Sequence, residues 1–190
     1  MTGPRSADGP RLFLVGMMGA GKSTVGRHLA RRCGLDFVDC DRELEARSGV
    51  AVATIFEVEG EAGFRRREAA LIDELTQRPR IVLATGGGAV LAEENRQRLH
   101  ERGLVIYLRA TIEEILRRTQ KDRSRPLLQT ADRRSRVTQL LAEREPLYEA
   151  VAHVTVHSSA GSPNRLGDRL LDDPRVRLAR GSDGGGAQRP

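Results

Sequence analysis

The sequence predicts an α/β protein, a parallel sheet covered on both faces by helices. Three observations point there. Short, almost purely apolar runs recur along the chain, at residues 12–15, 81–84 and 104–108. Between them lie stretches whose apolar residues fall at helical spacing. The first apolar run enters the first helical stretch through a glycine-rich turn, residues 16–21, of the kind found at the carboxyl edge of such sheets.

The elements follow in order. Residues 11–15 (Arg-Leu-Phe-Leu-Val) form a strand, and 23–32 form a helix with Val25 and Leu29 on one face. Residues 36–38 form a second strand and 41–47 a second helix. Residues 61–77 carry Phe64, Leu71, Ile72 and Leu75 on one stripe, which predicts a longer helix. Residues 80–84 read as a strand, 93–102 as a helix ended by Gly103, and 104–108 as another strand. Thr111 caps the next helix, with Glu114 placed to complete a capping box. Residues 151–156 form the last strand and 164–171 the closing helix. A single domain spans 11–173; residues 1–10 and 174–190 are polar and rich in Gly and Pro, and read as a disordered leader and tail.

Composition narrows the classes of function. The net charge of +6, from 32 basic and 26 acidic residues, suits anionic ligands without indicating nucleic acid. With no Trp and two Tyr, platforms for stacking bases are scarce. Cys33 and Cys40 lack metal-ligand spacing and a secretory context, so both read as reduced thiols of a cytoplasmic protein. The first ten residues lack the apolar core of a secretory signal. No run approaches the roughly 18 apolar residues a membrane span needs.

Residues 16–23, Gly-Met-Met-Gly-Ala-Gly-Lys-Ser, fit the phosphate-binding P-loop pattern G-x-x-x-x-G-K-[ST]. The glycines let successive N–H groups point at one anion, and the following helix adds its positive end. Lys22 would reach the β- and γ-phosphates, and the Ser23 hydroxyl would ligate Mg²⁺. All basic residues but Lys22 and Lys121 are Arg. A compact ammonium fits inside such a loop where a planar guanidinium does not.

Further candidates lie just past other strands. Asp39 and Asp41 follow the second strand, where a P-loop site needs a carboxylate for its metal. Alternation along an extended chain would put both on one side, one facing the metal and one the acceptor. Asp41 also suits a helix N-cap. Gly86, Gly87 and Gly88 follow the third strand, either as a flexible turn or as backbone brought close to a ligand. Arg65 and Glu68 stand three apart on a helix, as a surface ion pair or as a guanidinium held in one orientation. Arg144 precedes Pro146, which is expected to kink or end the helix there and aim Arg144 inward. Two separated arginines could clamp a small carboxylate. Residues 120–136 are rich in Arg, including Arg125, and read as a solvated loop or as a lid closing over phosphates.

Taken together, these motifs resemble the shikimate kinase family. The resemblance runs from about residue 11 to about residue 171. It is carried by residues 16–24, Asp39-x-Asp41, Gly63-Phe64-Arg65 with Glu68, Thr85-Gly86-Gly87-Gly88, Arg125-Pro126-Leu127-Leu128 and Arg144-x-Pro146-Leu147-Tyr148. It implies a three-layer fold like that of the nucleoside monophosphate kinases, with a five-stranded parallel sheet, a substrate-binding segment and a lid. It implies transfer of the γ-phosphoryl group of ATP to the 3-hydroxyl of shikimate, within aromatic amino acid biosynthesis. By the same resemblance, Gly19, Ala20, Gly21, Lys22, Ser23 and Thr24 would wrap the ATP phosphates. Ser23 and Asp39 would hold one Mg²⁺, Asp39 through water. Asp41 would bind the shikimate hydroxyls, as a base or only to orient the attacking one. Arg65 and Arg144 would bind the carboxylate, with Glu68 orienting Arg65. Gly86, Gly87 and Gly88 would contact substrate through backbone, with Phe56 and Phe64 as an aromatic wall. Arg125 would touch the phosphates, Arg118 and Pro163 would sandwich adenine, and Gly161 would lie beside it. The segment 158–163 matches the family loosely, and 174–190 lies outside the resemblance.

Two other classes of function compete with this reading. A gluconate kinase or another small-metabolite kinase could use the same scaffold, although Arg65 with Glu68, the glycine triplet and Arg144 favour shikimate. A non-catalytic nucleotide sensor, or a basic nucleic-acid binder, is disfavoured by the joint presence of Lys22, Ser23, Asp39, Asp41 and Arg125. The expected partners are ATP and shikimate, with neither nucleic acid nor membrane, and a monomer is expected.

Overall fold

Leu12, Phe13, Leu14 and Val15 are wholly buried, and a strand buried on both faces belongs in the middle of a sheet. The computed structural model, which describes residues 9–120, 130–158 and 162–180, places it there. Strands β1 (Arg11–Val15), β2 (Asp36–Asp39), β3 (Ile81–Ala84), β4 (Leu104–Arg109) and β5 (Val154–His157) form one sheet in the order β2-β3-β1-β4-β5. Every neighbouring pair is parallel, with Leu14 level with Ala84 on one side and Ile106 on the other. The chain leaves β1 toward β2 and later crosses to β4 on its other side. That reversal opens a crevice beyond the carboxyl end of β1.

Helices α1 (Lys22–Cys33), α2 (Cys40–Ser48), α3 (Val52–Leu75), α4 (Glu93–Arg102), α5 (Ile112–Thr119), α6 (Arg133–Val151), α7 (Pro163–Asp172) and α8 (Pro174–Ala179) complete the described chain. The capping box of α5 forms as predicted: Glu114 N donates to Thr111 Oγ1 at 3.2 Å, and Thr111 N to Glu114 Oε2 at 2.9 Å. No helix among the described residues is long and apolar enough to cross a membrane.

Several expectations need correction. The long helix starts earlier, at Val52, and breaks at Gly60 (φ 68°, ψ 177°), so only its second half begins near residue 61. Pro146 does not end its helix; α6 runs on to Val151, because Arg144, Tyr148 and Val151 are buried and hold the chain on both sides of the proline. Residues 151–153 therefore precede the last strand rather than belonging to it. The segment read as residues 120–136 is already helical from Arg133. Residues 174–179 are not a disordered tail but α8, anchored by Val176, which is wholly buried. At the other end, Pro10 O accepts a hydrogen bond from Ile81 N, so ordered chain begins inside the expected leader.

Gly103 does follow α4, but not as a left-handed cap. Its backbone is extended, with φ −169°. The position needs glycine because a Cβ there would lie 2.6 Å from the Phe13 ring and 2.8 Å from Arg11 O. Gly103→Ala is therefore predicted to destabilise the fold by about 1–3 kcal/mol through overpacking. Urea unfolding of the two proteins checks this, and equal midpoints would refute it.

Candidate active site

The loops and helices that follow the strands line a cavity of about 880 Å³. From the loop after β1 come Gly19, Gly21, Lys22, Ser23 and Thr24. Lys22 is 8 % exposed, and its Nζ donates to Gly16 O at 2.7 Å and Met17 O at 3.0 Å. The ammonium is thus folded over its own loop. Ala20 is wholly buried, so its methyl group does not line the cavity.

Asp39 and Asp41 both reach the cavity, though not by strand alternation. Asp39 is the N-cap of α2 and accepts from Arg42 N, whereas Asp41 lies within the first turn of the helix. Ser23 Oγ donates to Asp39 Oδ2 at 2.5 Å, joining the first helix to the end of β2. This pair of hard oxygen donors suits Mg²⁺, which takes one or two protein ligands and leaves its other positions to phosphate and water. Among the described residues no cluster of three His, Cys, Asp or Glu could hold a metal by itself.

The opposite wall is built on α3 and α6. Glu68 is wholly buried, and its Oε2 accepts from Arg65 Nη1 at 2.6 Å. This is no surface ion pair. Burial pushes the Glu68 carboxyl above the usual carboxylate range; Arg65 pulls the other way, and Asp41 reinforces the rise. Glu68 Oε1 has no hydrogen-bond partner and faces Gly86, where a Cβ would stand 2.3 Å from it. A Cβ on Gly88 would lie 2.1 Å from Arg65 Nη2. Gly86 and Gly88 are glycine because two charged side chains lie against their backbone, and a Cβ on Gly87 would stand 3.2 Å from Met18 N in the loop after β1. Arg65 Nη2 also pairs with Glu61 at 3.0 Å, and its guanidinium lies 5.2 Å over the Phe64 ring. Phe64 packs on Phe56 at 4.5 Å between centroids, and both line the cavity.

Arg144 lines the same end at 2 % exposure, with Nε and Nη1 unpartnered. Arg65 Nε is unpartnered too. Buried guanidinium donors without acceptors are expensive, by about 1–3 kcal/mol or more each. Both guanidinium groups line one end of the cavity, where a small anion between them would answer their charge.

A family description, Shikimate kinase, matches residues 18–173. The chain belongs to the shikimate kinase family. It is 63 % identical over 149 residues to a shikimate kinase of Bordetella pertussis, covering 78 % of this chain and 71 % of that one. A solved structure, shikimate kinase from Acinetobacter baumannii in complex with shikimate, superposes with a TM-score of 0.85 at 47 % identity, over 86 % of this chain and 91 % of that one. A gluconokinase from Sinorhizobium meliloti shares the fold alone, with a TM-score of 0.59 at 18 % identity, over 92 % of this chain and 95 % of that one.

Within this shikimate kinase framework, Arg118 and Pro163 both line the cavity. Arg118 is bonded through its edge, from Nη1 to Gly19 O at 3.1 Å and to Ser158 Oγ at 2.7 Å, and from Nη2 to Ser158 O at 2.7 Å. That leaves its planar faces for stacking. Arg125 and Gly161 lie outside the described residues.

Sequence reasoning missed the hydrogen bonds of Ser158 and Tyr148. Ser158 Oγ donates to Ala20 O at 2.6 Å, stapling the end of β5 to the loop after β1. Tyr148 donates to Gly87 O. Nothing in the local sequence of either serine or tyrosine marks these bonds, which span 138 and 61 residues.

The raised Glu68 carboxyl carries a signed consequence. A folded state that holds a proton more tightly than the unfolded chain is favoured below the ordinary carboxyl value of 4.5, and loses that advantage as pH rises through the raised value. Glu68→Gln removes this contribution. The stability difference between variant and wild type should therefore shift in the variant's favour as pH rises from about 4 to about 7. Denaturant titrations across that range check it, and a constant difference would refute it.

Proposed function

We propose that this chain transfers the γ-phosphoryl group of ATP to the 3-hydroxyl of shikimate, giving shikimate 3-phosphate and ADP. The observation that carries the reading is the convergence of half-buried Arg65 and buried Arg144, from two different helices, on one end of the cavity. A carboxylate-bearing acceptor answers them. The likeness to the shikimate-bound structure from Acinetobacter baumannii supports that choice.

The residues divide the work. Gly19, Gly21, Lys22, Ser23 and Thr24 line the donor end and bind phosphates, with Ala20 adding backbone. Ser23 and Asp39 hold Mg²⁺, which neutralises phosphate charge when bound. Arg65 and Arg144 anchor the acceptor's carboxylate, and Glu68 keeps Arg65 in one orientation. Asp41, whose Oδ1 would stand 3.2 Å from a Cβ on Gly86, is placed to hydrogen-bond the acceptor hydroxyl. A loose transition state asks for positioning more than for early proton removal. Asp41 therefore first orients the hydroxyl and then takes its proton as the O–P bond forms and the bond from the γ-phosphorus to ADP breaks. Phe56 and Phe64 exclude water from the acceptor end, which limits hydrolysis of ATP. Arg118 and Pro163 stack on adenine; Arg125 belongs to a lid that adds charge over the phosphates, and Gly161 contributes backbone near the base. The free thiols Cys33 and Cys40 suit a cytoplasmic enzyme, and a cavity lined from one chain suits a monomer.

A coupled assay of ADP release with shikimate or gluconate tests the proposal. Turnover is expected with shikimate alone, and turnover with gluconate alone would overturn it. Lys22→Ala should abolish turnover in a protein that still unfolds cooperatively; near-normal turnover would remove the phosphate-binding assignment. Arg65→Ala should raise the KM for shikimate by about 10–100-fold, the range for hydrogen bonds to a charged group, with the KM for ATP within about threefold. Equal rises in both constants would contradict the clamp.

A further inference from the structure

Tyr148 has no part in the machinery above, yet it touches it. It lies one turn after Arg144 on α6 and is wholly buried. Its ring stacks on Tyr107 of β4, with centroids 5.1 Å apart. A buried tyrosine needs partners for its hydroxyl. Here it donates to Gly87 O, in the middle of the glycine triplet, and it also bonds the Arg144 side chain. Exchange in the triplet, rather than the KM alone, therefore reads the bond to Gly87.

The ends of this segment are tied down by other side chains. Thr85 Oγ1 donates to Leu14 O at 3.1 Å, and Asn95 Nδ2 to Ala89 O at 3.0 Å. Between them Gly86 O accepts from Ala89 N at 3.2 Å and Gly88 O from Leu91 N at 3.0 Å, and the carbonyl between those two, Gly87 O, is the one that Tyr148 takes. A trans peptide unit directs its carbonyl and its N–H in opposite directions. With Gly87 O turned toward the buried phenol, the N–H of the same unit, that of Gly88, is turned the other way. Gly88 lines the cavity beside Arg65.

We propose that Tyr148 is a positioning residue for the acceptor: it locks the Gly87–Gly88 peptide with the N–H toward the bound anion. The proposal rests on the acceptor reading above. One rigid helix then delivers two groups in register, the Arg144 guanidinium directly and the Gly88 N–H by way of Tyr148. Without the latch the Gly87–Gly88 peptide loses the bond that fixes its carbonyl between those two backbone bonds, and a turn of the peptide would present a carbonyl oxygen to a carboxylate, which it would repel.

Tyr148→Phe keeps the ring and its stacking and removes only the hydroxyl. Tyr107→Phe removes the other hydroxyl of the stack, which bonds Glu145 at 3.5 Å, and serves as the control. Steady-state constants for shikimate and ATP are measured, together with amide hydrogen exchange over residues 86–88 of the free protein. Tyr148→Phe is expected to raise the KM for shikimate about tenfold, one hydrogen bond's worth, leave that for ATP within about twofold, and speed exchange in the triplet. Tyr107→Phe should do neither. The proposal is overturned if Tyr148→Phe leaves the shikimate KM and the exchange at wild-type values, if it raises both KM values alike, if Tyr107→Phe has the same effects, or if Tyr148→Phe does not fold. A wild-type protein that fails to turn over shikimate would sink the acceptor reading, and the exchange rates would then decide the latch alone.

Discussion

The acceptor half of the site depends on one buried carboxylate. Glu68 has no contact with solvent, so its charge must be answered from within, and Arg65 answers it. That pair holds a guanidinium still inside a cavity, where an arginine on a free stem would sample many rotamers. The pair is not there for stability, since a buried ion pair seldom outweighs its own desolvation. What it supplies is orientation, and the surroundings follow from it. Gly86 and Gly88 lack side chains because Glu68 and Arg65 lie against them. Arg144 comes in from a different helix and leaves two of its nitrogens unanswered.

The donor half rests on a different constraint. A strand buried on both faces ends in a loop whose N–H groups lead into α1, and the reversal of strand order opens the crevice there. Lys22, tied to the carbonyls of its own loop, keeps its charge at the mouth of that crevice. Two contacts join this half to its neighbours. Ser23 bonds Asp39, and Ser158 bonds Ala20 O while receiving Arg118. A shift at the end of β2 or β5 is therefore felt by the loop that holds phosphate.

What could be read from the sequence follows the range of the physics involved. The P-loop was legible because its chemistry is local: glycines, one lysine and one serine at fixed spacing between a strand and a helix. The strands around β1 were legible because burial on both faces leaves an unbroken apolar run. Gly103 was legible as a boundary but not for its reason, since the Phe13 ring that forbids a side chain there lies far away in sequence. Asp39 and Asp41 were found, yet the alternation argument failed because a helix begins between them. Pro146 misled for a related cause. Its local preference to end a helix yields to the burial of Arg144, Tyr148 and Val151 around it. Tyr148 stood in a motif and Ser158 at the edge of a loosely matched segment, but their hydrogen bonds could not be read, because a hydroxyl that bonds a distant carbonyl leaves no trace in its neighbours.

The central claim is that buried guanidinium donors of Arg65 and Arg144 select an acceptor by its carboxylate. The most direct measurement is calorimetric titration of the protein with shikimate and with its methyl ester, which keeps the ring and hydroxyls and removes the charge. Binding of shikimate, with the ester at least about tenfold weaker, is the result predicted for loss of charge-assisted hydrogen bonds. Equal affinity for the two would contradict the account.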